Sequence, residues 1–97
     1  MIFSIHPLAE AELVDGASFY AREANAALGE AFIAEFSHAI DLLREHPKLG
    51  AQWRGPLRRL PLRRFPYSII YHESPTTLRV VAVAHQSRRP GYWRGRS

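Results

Sequence analysis

Apolar residues recur along this chain in two different rhythms. Ile2, Phe3 and Ile5 suggest a short first strand. Pro7 suits the first position of a helix, where its missing N–H costs nothing. The spacing of Ala9, Leu13, Ala17 and Tyr20 then predicts a helix to about Arg22. After a break at Glu23–Asn25, a longer stripe of Leu28, Phe32, Phe36, Ile40 and Leu43 predicts a second helix from about Asn25 to His46. Pro47 stops it, and so short a connection suits an antiparallel helix pair.

Beyond Leu57 the period becomes two. Leu57–Arg63 predicts a strand with Leu60 and Leu62 on one face and Arg59, Pro61 and Arg63 on the other; Pro61 marks an edge or a bulge. Tyr67–Glu73 predicts another, with Tyr67, Ile69 and Tyr71 alternating with Ser68, Ile70 and His72. A turn at Ser74–Thr77 leads into Leu78–Ala84, an almost unbroken apolar, β-branched run that predicts a strand buried on both faces. Lys48–Pro56 reads as a loop. The order β-α-α-β-β-β gives an α+β fold: a short N-terminal strand and a helical hairpin packed on a small, mostly antiparallel sheet, one domain over residues 1–97.

Charge changes this picture by dividing it. Residues 1–50 carry eight acids against three bases, net −5; residues 51–97 carry ten arginines against Glu73 alone, net +9. Twelve of the thirteen basic residues are arginine, the side chain suited to bidentate contacts with phosphate or carboxylate and to stacking. A high-GC coding bias would also replace lysine by arginine. The basic half points to nucleic acid, an acidic protein, or both. The absence of cysteine removes disulfides and thiolate chemistry. No signal peptide or membrane-length apolar run is visible, so a soluble cytoplasmic protein is expected.

Candidate chemistry is sparse. Five scattered histidines show no ligand spacing, so neither metal nor cofactor is expected. Glu10 and Glu12 lie near a helix start, where the dipole alone explains them. The basic cluster remains: Arg58, Arg59, Arg63 and Arg64 flank one strand, and Arg88 and Arg89 follow another, with Tyr67, Tyr71, Tyr92 and Trp93 as stacking surfaces. Were those strands paired, six guanidinium groups would share one edge, able to hold single-stranded RNA or an acidic peptide. The plainer reading is a C-terminus tied down by Tyr92 and Trp93 with solvated arginines around them. Cleaving RNA would need proton transfer as well, from His85, His72, Tyr92 or Tyr71; His85, at a strand end beside arginines that supply charge, is the best placed.

The stretch RRLPLRRFPYSIIYHE (Arg58–Glu73), with VVAVAHQSRRPGYWRGR (Val80–Arg96) after it, resembles the RelE/ParE superfamily of toxins from type II toxin–antitoxin modules; so do His6–Phe36 and Glu45–Gly50. The resemblance implies the α+β fold, a cognate acidic antitoxin wrapping hairpin and sheet in a hetero-oligomer, and one of two targets. RelE-like members cut mRNA on the ribosome; ParE-like members poison DNA gyrase. The nuclease type carries two lysines before the F-P-Y stretch and an arginine after its tyrosine. Here those positions hold Arg59, Pro61 and Ser68, which favours the ParE-like branch and a plasmid-stabilising gyrase inhibitor. The residues then expected at the target are Arg59, Arg63, Arg88, Arg89, Tyr92 and Trp93. Those expected at the antitoxin are Leu13, Tyr20, Phe32, Phe36, Arg58 and Arg64. If the chain is instead a nuclease, Arg63, His85, Arg88 and Tyr92 would carry the reaction. A module member that binds antitoxin without toxicity is the third reading.

Overall fold

The computed structural model describes Met1–Ser97. Its elements are β1 (Ile2–Ile5), α1 (Pro7–Glu23), α2 (Ala26–Glu45), β2 (Ala51–Gln52), β3 (Leu57–Pro61), β4 (Tyr67–Glu73) and β5 (Thr77–His85). The helices begin where the sequence says they should. Pro7 opens α1 behind His6, whose Nδ1 accepts from the Leu8 N–H; Asn25 caps α2 by accepting from the Leu28 N–H at 2.8 Å. β2 lies inside the segment expected to be loop. Two residues are too few to show a period, and it exists only because Ala51 and Gln52 pair with Arg59 and Arg58.

The five strands form one sheet in the order β1-β5-β4-β3-β2, antiparallel except where β1 runs parallel to β5. Both helices cover one face. Phe32, Phe36, Ile40 and Leu43 of α2 meet Ile69, Tyr71, Leu78, Val80 and Val83 of the sheet in the main core. The helices approach closely at Gly29, where an added Cβ would stand 2.7 Å from the Ala17 carbonyl oxygen.

β5 is buried on both faces because the opposite face is covered too. The chain after His85 turns back beneath the sheet, and Trp93 packs there against Ile70, Val81, Ala82 and Ala84 in a second, smaller core. β5 carries a bulge at Val81: Ile70 pairs with Ala82 while the next residue, Tyr71, pairs with Val80, so Val81 has no partner on β4.

β1 reaches only as far as Val80, so the second half of β5 lacks a strand on that edge. Side chains fill the place. Arg96 Nη1 donates to the Val81 carbonyl at 3.2 Å, and Glu12 Oε1 accepts from the Val83 N–H at 3.0 Å. Those two side chains also bond each other, so one ion pair satisfies the backbone groups a longer β1 would have taken.

Candidate functional site: the basic tail face

Pleat alternation separates the arginines of β3. Arg59 pairs with Ile70 and faces the tail side; Arg58 pairs with Tyr71 and faces the helix side. Arg58 is spent on structure there, donating to the Gly50 carbonyl at 2.8 Å and lying 3.6 Å from Glu73. Arg64 pairs with Glu35 of α2. The Arg63 and Arg64 N–H groups both donate to that same carboxylate. Burial alone would raise the Glu35 pKa, yet these backbone bonds and the Arg64 guanidinium outweigh it and hold the carboxyl below its ordinary value. The six-guanidinium edge expected from the sequence therefore does not form. Arg58 and Arg64 are tied to carboxylates elsewhere, and the Arg63 backbone is anchored at α2.

What does gather is Arg59 with Arg88. Both line a small pit of about 50 Å³ together with Trp53, Ser68, His85 and Trp93. Arg59 Nε donates to Ser68 Oγ at 3.1 Å, and its guanidinium lies 4.9 Å from the centre of the Trp53 ring. Trp53 meets Trp93 edge-on at 5.4 Å. Next to the pit, and sharing Arg88 with it, is a cleft of about 510 Å³ lined by Arg88, Arg89, Pro90, Gly91, Tyr92 and Arg94. The largest recess, about 870 Å³, lies at the other end of the sheet beside Glu45, His46, Lys48, His72 and Glu73. Its charges are mixed in sign, and no buried side-chain polar atom anywhere lacks a partner.

Glu12 organises the tail, a role beyond the favourable placement near a helix start expected for it. Its carboxylate accepts from Tyr92 Oη at 2.7 Å, from Arg96 Nη1 and Nη2 at 3.0 and 3.2 Å, and from the Val83 N–H. One signal was available: Glu12 borders the stripe of Ala9, Leu13 and Gly16, so an acid stands beside a buried face. The Arg88 guanidinium lies 4.1 Å from the Tyr92 ring centre and that of Arg96 5.2 Å.

These contacts bear on proton transfer. Burial, and then the bond to Glu12, push the Tyr92 hydroxyl far above the ordinary tyrosine value. A phenol held in this way gives up its proton only with the tail's anchorage. His85 Nδ1 accepts from the Ser87 N–H at 3.0 Å, which leaves the ring proton on Nε2, and the ring packs edge-on against Tyr67 at 4.9 Å.

Burial corrects three of the expected contacts. Phe32 has no exposed surface, Phe36 is 7% exposed and Trp93 3%, so each is core material rather than contact surface. Leu13 and Tyr20 are half-buried against that same core. Exposed apolar surface on the hairpin comes instead from Leu8, Val14 and Phe19 of α1 and Leu42 of α2.

No helix is long and apolar enough to cross a membrane. No curated protein matches the chain in sequence. Among solved structures, one described as the chromosomal ParDE TA system from P. aeruginosa is similar in fold, with a TM-score of 0.77 at 16% identity, over 88% of this chain and 95% of that one. Residues 3–90 match the family model described as the ParE toxin of the type II toxin–antitoxin system, parDE, and the chain, from its first strand to the edge of its basic cleft, belongs to that family.

Proposed function

We propose that this chain is the growth-inhibiting toxin of its module, acting by binding DNA gyrase through the tail face rather than by cutting RNA. The observation that carries the reading is the anchorage of the tail. Trp93 under the sheet and the Tyr92–Glu12–Arg96 cluster at its edge fix the turn that carries Arg88, Arg89 and Arg94. A positive surface held this rigidly loses little freedom on docking. Arg59 adds to it from β3; Tyr92 and Trp93 serve as its supports. Arg63 is assigned to neither surface by its contacts.

The antitoxin, in this reading, covers α1. Leu8, Ala11 and Val14 recur at i, i+3 and i+6 and are exposed together, an apolar strip on an otherwise acidic helix hairpin. A partner helix with apolar anchors would fit there, and an extended acidic segment continuing from it would lie along the sheet, outside the cleft of the tail.

Inducible expression without the antitoxin tests both parts. Growth arrest with intact mRNA, together with loss of supercoiling by purified gyrase when the protein is added and its recovery with Arg88→Ala/Arg89→Ala, supports the gyrase reading. Codon-phased mRNA cuts by primer extension would replace it with ribosome-dependent cleavage. Normal growth at good protein levels would leave an antitoxin-binding protein without toxicity.

A further inference from the structure

We propose that the cleft formed by Arg88, Arg89, Pro90, Gly91, Tyr92 and Arg94 binds phosphate oxygens of a nucleic-acid backbone. This does not depend on which protein the toxin poisons.

None of the cleft's arginines forms an ion pair within the chain; the nearest acids, Glu12 and Asp15, line a neighbouring hollow beside Arg88 and Tyr92. The ion pairs between side chains use Arg58, Arg64 and Arg96, and none involves Arg54, Arg88, Arg89 or Arg94. Two of these unpaired groups converge. Arg54 Nη1, from the loop between β2 and β3, and Arg94 Nε, from the tail, each lie 3.6 Å from the point where a Cβ on Gly91 would stand. Gly91 has φ +86°, a conformation that keeps this position to glycine. Guanidinium groups brought together across distant parts of the chain repel each other unless an anion lies between them.

The groups are also held in place. Arg88 rests on the Tyr92 ring, and Arg54 lies 5.8 Å from the centre of Trp53. Cations seated on aromatic rings lose less freedom when an anion arrives. The composition of the lining selects the anion. An acidic protein segment would need apolar surface to bury beside its carboxylates, and the one aromatic ring here is already covered by Arg88. A phosphodiester chain needs only positive charge at intervals, with arginine forks matched to its oxygens. Trp53, 36% exposed beside the adjoining pit, offers a ring edge where the strand would leave the cleft.

Fluorescence anisotropy of a labelled duplex with the full-length chain tests this. If three phosphates are neutralised, affinity falls about 40-fold between about 50 and 200 mM salt. Arg88→Gln/Arg89→Gln/Arg94→Gln should abolish binding, and Arg22→Gln/Arg44→Gln, on the helices, should not. Should the triple variant lose its circular dichroism spectrum, Arg94→Gln alone serves, with an expected drop of about 0.9 in the slope of log affinity against log salt. No duplex binding at the lower salt, binding unchanged in the folded cleft variants, or poly-glutamate binding as tightly as duplex would overturn the proposal. So would inorganic phosphate perturbing tryptophan fluorescence through the cleft while duplex fails to bind. Duplex binding that resists inorganic phosphate at matched ionic strength supports the backbone as the source.

Discussion

The Tyr92 hydroxyl donates to Glu12 Oε2 at 2.7 Å across 80 positions of sequence, joining the C-terminal tail to the first helix. Arg96 reaches the same carboxylate, with side chains only 16% and 13% exposed for Glu12 and Arg96. Removing the charge leaves a guanidinium facing a neutral amide in a largely desolvated place. Glu12→Gln should cost about 3 kcal/mol by urea unfolding, within the range for breaking one side of a buried pair. Tyr92→Phe should cost about 1.5–3 kcal/mol, as for a hydrogen bond to a charged group. The double variant should show a coupling of about 1 kcal/mol or more, because both substitutions act on one carboxylate. Additive costs would mean that Tyr92 is held by its ring alone.

Glu35 makes stability depend on acid. Its folded pKa lies below the ordinary 4.5, so the unfolded chain takes up the proton first. The stabilisation is complete above that ordinary value and disappears as pH falls through the lower folded value. Glu35→Gln should therefore lower the unfolding midpoint at neutral pH and narrow its gap to wild type below about pH 4. Parallel pH profiles for the two proteins would show that the Arg63–Arg64 turn is not held by this charge.

Tyr71 ties the turn after α2 to the sheet. Its buried hydroxyl donates to the Pro47 carbonyl at 2.7 Å and accepts from the Gly50 N–H at 2.9 Å. Tyr71→Phe leaves both groups unpaired, and a loss of about 2 kcal/mol is expected from thermal or urea unfolding. The Gly50 amide, which loses its acceptor in the same variant, should exchange faster, while Arg58 still holds the Gly50 carbonyl.

His85 separates binding from proton transfer. His85→Ala and Tyr92→Phe proteins, at matched levels, should remain toxic, whereas Arg88→Ala/Arg89→Ala should not. Loss of toxicity in His85→Ala with its unfolding midpoint unchanged would return the imidazole to the chemistry. Trp93→Ala, by contrast, should act through stability: deleting a buried tryptophan costs about 3–5 kcal/mol, so it should abolish toxicity only where it unfolds the tail.

The elements could be read from the sequence because their causes are local. The stripe from Leu28 to Leu43 returns every helical turn, and the alternation from Tyr67 to Glu73 returns every second residue; each signal lies within the segment it describes. The same pleat already placed Arg58 and Arg59 on opposite faces of one strand, so its alternation argued against collecting all the arginines at one edge. Trp93 and Tyr92 were legible as a tail anchor, though not where they would anchor.

What the sequence determined by itself, then, is the pair of helices, the three longer strands and a division of charge between the two halves, since short-range periodicity and composition require no knowledge of neighbours. Only the tertiary structure decided that β1 stops at Val80, that Glu12 and Arg96 fill the gap it leaves on β5, and that Arg54 and Arg94 meet at Gly91. Those contacts join side chains far apart in the chain. A backbone group left open at a sheet edge accepts whatever donor or acceptor the fold brings near, and no spacing in the sequence records that choice.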